Sequence, residues 1–564
     1  MYGLDIDERA AQLSYFAVMM KARQYDRRFL AKKDADGKPD IPQPHVYVIE
    51  ESNSIKPEAL NELGQNLTQY ERDNALEQII KLIEEMYDAK EYGSLTSVSV
   101  FDWNLLRRFA KLTTDNGQMR INMHDEEQTS RKLQKLIDIG EALAQKYEVI
   151  VTNPPYMGNS GMNGKLAVWV KDNYPDSKSD LFAVFIERGR DFVIRNGFNC
   201  MVTMQSWMFL SSFEKMRNKL IQTMSISSLM HMENMVMGIA FGTAVSVFRN
   251  SHLAGYRGTY NQIKLVDIDN DAPKEFPIKG NRFAQVSTDN FSKIPGYPVA
   301  YWISSQMTAI FSHQTLSEFF ISGGRNKTHN DDKYIRLLWE VPRSNKWSLY
   351  AKGGAYRKWY GDIYYVVDWT DNAKAEYASH GGLVNKSFWG KAGITWTIVT
   401  AYKASFRYKQ EAVIYSSVSP TIFNSNYSLD KYTLALLNSK IAETLLDIMN
   451  PTLAYNVSNI LDIPYIESDR VDIENLVQNN INISKSEWDS FETSFDFKRH
   501  PLIEINDICK VNFIRECFQK WNSICDARFS SLKENEEKIN QKFIDIYGLS
   551  NELSPDIDDK DGGF

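Results

Sequence analysis

Residues 153–156 read Asn-Pro-Pro-Tyr and follow the run Tyr147-Glu148-Val149-Ile150-Val151-Thr152. The apolar, β-branched run predicts a buried strand. The prolines must end it, because proline has no backbone N–H and disfavours helix in the residue before it. Open α/β sheets bind ligands at the carboxyl ends of their strands. The side-chain amide of Asn153 and the ring of Tyr156 are therefore delivered where a ligand would sit, for hydrogen bonding and stacking. No cysteine lies in the loop. The alternative is an ordinary strand-ending turn, although chance places a given tetrapeptide in roughly one chain of this length in several hundred.

The elements around this loop alternate. Tyr2-Gly3-Leu4-Asp5-Ile6-Asp7 predicts the end of a strand, followed by a helix from about Glu8 to Leu30, with Asp7 well placed as its N-cap. His45 to Glu51 reads as the next strand. Between Pro57 and Tyr147 the pattern is largely helical: Asn74 to Tyr92 sets Ile79, Leu82, Ile83 and Met86 on one stripe, and Arg131 to Lys146 forms another. Met157 to Asp176 is rich in Gly, Asn and Ser and is expected to be mobile. A helix from about Asp180 ends at Asn196-Gly197. Strands follow at Phe198–Met204, Ile226–Met232 and Ala244–Phe248, with a helix near Phe213 to Gln222. Residues 252–298 are polar and turn-rich, with prolines at 273, 277, 295 and 298, and predict a linker or peripheral strands.

Length and composition bound the rest. A chain of 564 residues holds two or three domains, and 43% apolar content suits globular cores. The net charge of −7 gives no global nucleic-acid signature, so any basic surface must be local. Cys200, Cys509, Cys517 and Cys525 form no Cys-x-x-Cys pair, and the last three recur every eight residues, which suggests a helix face. The eight histidines are scattered, so no metal site is expected. With no signal peptide and no apolar run near twenty residues, a cytoplasmic protein without a membrane span is expected.

Asn-Pro-Pro-Tyr in this setting resembles the catalytic loop of the amino-methyltransferases that use S-adenosylmethionine. That resemblance implies an α/β, Rossmann-like sheet and a definite chemistry. An exocyclic amine such as adenine N6 is a poor nucleophile because its lone pair is delocalised into the ring. In the family mechanism the Asn153 side-chain oxygen and the Pro154 carbonyl accept its two N–H bonds, favouring a more tetrahedral nitrogen. The rigid Asn153-Pro154-Pro155-Tyr156 loop then presents Tyr156 to stack on a base flipped out of the duplex. Gly-Leu-Asp-Ile-Asp resembles the segment that ends the second strand in methyltransferases. It makes Asp5 the candidate ribose ligand and Ile6 an adenine-packing residue, with Glu50 or Glu51 toward the adenine amino group. The family's glycine-rich turn after its first strand is not found at a suitable place. The chain reads as though it starts one βα unit too late, so residues 1–56 are expected to be poorly anchored, or to leave a strand-wide gap beside 148–152.

Residues 343–411 carry eleven Lys or Arg against five Asp or Glu, a balance of 11 − 5 = +6, leaving −7 − 6 = −13 for the rest. Trp347, Tyr350, Tyr356, Trp359 and Tyr360 are interleaved with Lys352, Arg357 and Lys358. Cations near a duplex neutralise phosphates, and planar side chains meet bases. Lys352, Arg357, Lys358, Trp359 and Tyr360 are thus candidate DNA contacts. The alternative is a β-rich domain whose aromatics form core.

The strings Gly323-Gly324-Arg325, Tyr334 to Glu340, Gly353 to Gly361, Gly393-Ile394-Thr395-Trp396 and Leu434 to Lys440 resemble target-recognition segments of large adenine methyltransferases. Together with Ser160 to Asn163 and Tyr174 to Phe182, they make the chain similar to the PglX family, the adenine-specific DNA methyltransferases of BREX phage-exclusion systems. The resemblance implies N6-adenine methylation of double-stranded DNA in phage defence, with S-adenosylmethionine and no metal, and with an upstream fragment or other BREX proteins as further partners. Its organisation would be a partial methyltransferase domain (1–250), a linker or peripheral strands (251–300), a mixed α/β target-recognition domain (301–480), a solvated helical spacer (481–550) and a disordered tail (551–564). Two other readings stay open: a catalytically inactive DNA-binding remnant or subunit, and a methyltransferase acting on RNA or protein glutamine.

Overall fold

The computed structural model describes residues 1–112, 123–269, 272–275, 277–279, 283–383, 386–510 and 513–562. Contacts divide the chain into two units: Met1–Trp207 with Lys219–Val286, and Met208–Asn218 with Ser287–Phe564.

The first unit begins with β1 (Tyr2–Asp5), α1 (Glu8–Tyr25) and β2 (His45–Val48). Asp7 caps α1 through the N–H groups of Arg9 and Ala10. The strands β1 and β2 pair in parallel, with Tyr2 opposite His45 and Asp5 opposite Val48, and form a sheet of their own. Helices α2 (Gln69–Glu85), α3 (Ala89–Tyr92), α4 (Trp103–Ala110) and α5 (Met123–Ala144) follow. Thr68 and Glu71 close a capping box at the start of α2. Ala75, Ile79 and Leu82 then fall on one buried stripe, each large side chain contributing about 1.5–3 kcal/mol. The helix stops at Glu85 rather than running to Tyr92, because Asp88 takes a left-handed conformation (φ 58°) that no helix continues through. One helical core backs both sheets: Leu4, Tyr47 and Ile49 pack against it from β1–β2, and Tyr147 and Ile150 from the strand β3 (Tyr147–Thr152).

The main sheet orders its strands as Phe283–Ser287, β7 (Arg257–Ile263), β5 (Ser225–Met232), β6 (Thr243–Arg249), β4 (Val193–Met204) and β3. β3 runs parallel to β4, and β6 is inserted antiparallel between β4 and β5. Between β3 and β4 lie α6 (Gly164–Asn173) and α7 (Leu181–Phe192), and α8 (Glu214–Thr223) precedes β5. β4 starts five residues earlier than its apolar run suggests, and Asn196 (φ 68°) and Gly197 form an irregular step within it rather than a helix stop. A Cβ on Gly197 would lie 2.5 Å from the Glu148 carbonyl, so a side chain there would force β3 and β4 apart. Residues 257–263 and 283–287 join the sheet, so the stretch expected as linker or peripheral strands supplies strands. The sheets are α/β in kind, with β1–β2 separate from the sheet that holds β3.

The second unit is built on two four-stranded sheets. In one, Phe320–Ser322, Thr421–Asn424, Gly393–Trp396 and Phe406–Lys409 are antiparallel neighbours. In the other, Ile335–Leu337, Tyr365–Asp368, Trp347–Ala351 and Val413–Tyr415 follow in order, the last pair parallel. Helices Lys431–Leu437, Lys440–Met449, Val471–Trp488 and Ile514–Ile546 share one core with Trp359, Ile394, Trp396 and Phe406.

Two expectations are corrected here. The helix expected as a solvated spacer buries Leu532, Glu536, Ile539, Asn540, Phe543 and Ile544. Residues 551–562, expected as a disordered tail, are held in place: Ile557 is buried, and the Asp561 carboxylate accepts bonds from Tyr402 and from Lys403 at 2.8 Å. Gly563 and Phe564 lie outside the described residues. Among the described residues, no helix is long and apolar enough to cross a membrane, and no group of three or more His, Cys, Asp or Glu could hold a metal ion.

Candidate active site

β3 ends at Thr152, and Asn153 emerges exposed while Pro154 is buried. The Tyr156 hydroxyl lies 3.0 Å from Asn153 Oδ1 and 3.2 Å from the Val202 carbonyl of β4. Its single hydrogen serves one acceptor at a time. The Tyr156 ring meets Phe182 at 6.2 Å (90°) and Phe241 at 5.7 Å (72°), both edge-to-face. Burial raises the phenol pKa, so the hydroxyl stays a neutral donor.

The chain leaving the loop is tied down by Asp180. This residue caps α7 through the Phe182 N–H (3.3 Å), and the same oxygen accepts the Met157 N–H (3.0 Å). Leu181 N–H donates back to the Met157 carbonyl at 3.0 Å, and Asn159 N–H to the Ser179 carbonyl at 3.0 Å. Burial raises the Asp180 carboxyl pKa, and the backbone N–H groups of Phe182, Met157 and Leu181 oppose that rise. The segment 157–176, expected to be mobile, contains α6, which Asn163 caps and which buries Leu166 and Val170. Asp180, Phe182 and Phe241 were not singled out from sequence. For Asp180 the usable signal was an Asp one residue before an apolar helix.

At the end of β1, Asp5 Oδ1 accepts the Asp7 N–H at 2.8 Å. Ile6 is half exposed, and its side chain lies beside Gly93. Glu50 is bound to Lys135 of α5 at 2.9 Å, and Glu51 is exposed. The Tyr2 and Tyr147 rings meet at 5.5 Å, so β1 and β3 start side by side. A groove of about 270 Å³ runs between the two strands, lined by Tyr2, Gly3 and Leu4 on one side and by Tyr147 and Val149–Thr152 on the other. Residues 1–56, expected to be poorly anchored or to leave a strand-wide gap, anchor β1–β2 on the helical core, and a groove lies between β1 and β3.

The basic aromatic segment belongs to the second unit, and three of its candidate DNA contacts must be corrected. Lys358, Trp359 and Tyr360 are 7%, 0% and 8% exposed. Glu536, from the helix Ile514–Ile546, takes both Lys358 Nζ (2.9 Å) and Trp359 Nε1 (2.5 Å). Burial works against the lysine charge, but the adjacent Glu536 carboxylate raises its pKa. Lys485 bonds the Tyr360 hydroxyl at 3.2 Å. Of the other two, Lys352 pairs with Asp331 at 2.6 Å, and Arg357 lies over the Trp488 ring, 3.9 Å from Asp362. The positive balance of this segment is largely met inside the unit, by Asp331, Glu443, Glu536 and Asp561 from outside it. Lys352 instead helps line an open cleft of about 510 Å³ with Lys327, His329, Asn330 and Ser416.

Comparison with known proteins bears on the whole chain. Residues 1–236 match the family model for the Eco57I restriction-modification methylase. The adenine-specific methyltransferase PglX of Lacticaseibacillus casei (strain Zhang) is 31% identical over 599 aligned residues, covering 100% of this chain and 48% of that protein. The likeness to the PglX methyltransferases runs the length of the chain. The adenine-specific methyltransferase BrxX of Escherichia coli O9:H4 (strain HS) is 30% identical, covering 98% of this chain and 47% of that protein. The chain thus spans about half the length of these PglX and BrxX relatives. Among solved structures, the type IIL restriction-modification enzyme MmeI in complex with DNA aligns over 76% of this chain and 57% of that one, with a TM-score of 0.46 and 10% identity. That match is too loose to define the fold.

Proposed function

We propose that this chain carries the methyl-transfer loop and target-recognition part of an enzyme that methylates adenine N6 in double-stranded DNA, with S-adenosylmethionine as donor, in phage defence. The observation that carries this reading is Asn153-Pro154-Pro155-Tyr156 at the carboxyl end of β3, in a sheet with an inserted antiparallel strand, within a chain 30–31% identical throughout to two adenine-specific methyltransferases.

The loop's own residues divide the work. Asn153 Oδ1 and the Pro154 carbonyl accept the two N–H bonds of the target amine. Pro155 fixes the backbone between them and Tyr156, whose ring receives the base. In the present geometry the Tyr156 hydroxyl reaches Asn153 Oδ1, and its second acceptor on Val202 leaves that oxygen available to the amine. Asp180 holds the loop's continuation still while the base enters.

The donor side fits in part. Asp5 ends β1 at the same end of the groove as Thr152, and a carboxylate with one oxygen on Asp7 keeps a second for a ribose hydroxyl. Ile6 offers an exposed apolar side chain to an adenine ring. Glu50, with one oxygen on Lys135, and exposed Glu51 are the candidates for the adenine amino group. S-adenosylmethionine, when bound, supplies an electrophilic methyl sulfonium. For DNA, Lys352 with the cleft at Lys327 and His329 replaces the buried Lys358, Trp359 and Tyr360.

The test is transfer of a tritiated methyl group to unmethylated DNA. Asn153→Ala should lower the rate on the order of a hundredfold or more, as loss of one transition-state partner does elsewhere, with DNA affinity unchanged. Near-normal adenine methylation by that variant would sink the assignment.

A further inference from the structure

Gln205, directly after β4, lies across the end of β6. Its backbone N–H donates to the Gly242 carbonyl at 3.0 Å, one step beyond the last β4–β6 pair, Met204 with Thr243. Its side chain passes over β6 to β5, where the amide oxygen lies 2.5 Å from His231 Nε2. An amide oxygen can only accept, so this ring nitrogen carries the hydrogen. The amide nitrogen donates to Asn234 Oδ1 at 3.4 Å. Only glycine leaves room for the crossing, since a Cβ on Gly242 would lie 2.3–2.5 Å from the Gln205 amide atoms. One side chain thus ties the ends of three strands to both ends of the β5–β6 connection, at Asn234 and Gly242.

Phe241 stands on that connection, next to Gly242, and its ring meets the Tyr156 ring edge-to-face at 5.7 Å. The Tyr156 hydroxyl reaches the carbonyl of Val202, three residues before Gln205 on the same strand. Tyr156 is therefore set at one end by β4 and at its ring by the connection that Gln205 ties down. A main-chain bond from Met235 N–H to the Ile239 carbonyl (2.7 Å) already folds the middle of the connection, so the glutamine is not needed to form it. What the side chain adds is a fixed place for Phe241. Holding a long, flexible side chain in one conformation costs entropy, which the bonds to His231 and Asn234 offset.

We propose that Gln205 is a positioning residue for methyl transfer: held by His231, it fixes the β5–β6 connection so that Phe241 sets the Tyr156 ring for the incoming base. Gln205 acts through Phe241 and Tyr156. Its purpose rests on the methyl-transfer reading, whereas the tie between Gln205, Phe241 and Tyr156 stands without it.

A single fluorine tests it, carried by 4-fluorophenylalanine in place of Phe241 in the intact chain and read by NMR. Tyr156→Leu should shift its resonance, because the aromatic neighbour is removed. Gln205→Leu should shift it too, and Gly242→Ala, whose methyl group displaces the same amide, should match Gln205→Leu. The same label in place of Phe109, in the helical core, should not move and so reports an intact fold. In tritiated methyl transfer to unmethylated DNA, Gln205→Leu should lower kcat on the order of a hundredfold, as misplacement by about 1 Å does elsewhere, with the KM for S-adenosylmethionine unchanged. An unmoved resonance at position 241 in Gln205→Leu overturns the proposal, and so does a moved one with unchanged kcat. A chain that transfers no methyl group, while Gln205→Leu still moves the resonance, would overturn the methyl-transfer reading and leave the tie standing.

Discussion

Tyr156 makes two kinds of contact, and they separate by substitution. Its hydroxyl bonds Asn153 or Val202, and its ring lies against Phe182 and Phe241. If the ring receives the base, Tyr156→Phe should hold methylation within about tenfold, while Tyr156→Ala should lose stacking of about 1–3 kcal/mol. Steady-state rates on the same DNA measure both, and equal losses would return the role to the hydroxyl. A second residue-scale prediction concerns acid. His231 on β5 is buried beside Gln205 Oε1 (2.5 Å), and burial lowers its pKa to about 4. Between that value and the ordinary 6.5 the unfolded chain binds the proton and the folded chain does not. Stability should therefore be full above pH 6.5 and fall as pH drops toward 4, by at most about 3 kcal/mol. Chemical denaturation across that window should show a shallower slope for His231→Gln, and an unchanged slope would exclude the histidine as the cause. The sequence made Asn153 to Tyr156 legible because proline chemistry leaves few conformations for such a loop. It did not reveal Phe241, which reaches the Tyr156 ring only through the pairing of β4 and β6.

Elements with clean periodicity were read well. β3, the start of α1 and the strands β5 and β6 lie within about a residue of their apolar patterns. The misread spacer helix and the misassigned DNA contacts at Lys358 and Trp359 share a cause, which is that charge density hid burial. In the helix Ile514–Ile546 the stretch around Lys533, Glu534 and Glu537 masks a stripe at Leu532, Glu536, Ile539 and Phe543. Its acid is the partner of Lys358 and Trp359, so one misreading produced the other. The consequence is measurable. Glu536→Ala strands a buried ammonium and should cost about 3–5 kcal/mol. Glu536→Gln with Lys358→Met keeps an acceptor for Trp359, removes both charges and should recover most of that loss. Urea unfolding of the three proteins gives the answer, and a cost under about 1 kcal/mol for Glu536→Ala would mean the pair is solvated.

At the scale of the whole chain, the sequence indicated a methyltransferase sheet and a second, mixed unit. A gap beside β3 was one of two alternatives expected from one absent turn. The boundaries were not foreseen, because residues 208–218 contribute to the second unit from within the sequence of the first. No local pattern announces such an excursion. The loop after β3 is proposed to transfer a methyl group to adenine in DNA. Its most direct test is nucleoside analysis of unmethylated DNA after incubation with S-adenosylmethionine and the chain. N6-methyldeoxyadenosine should form as the only methylated nucleoside and should fall on the order of a hundredfold with Asn153→Ala. Methylated cytosine, or adenine methylation indifferent to Asn153, would contradict the account.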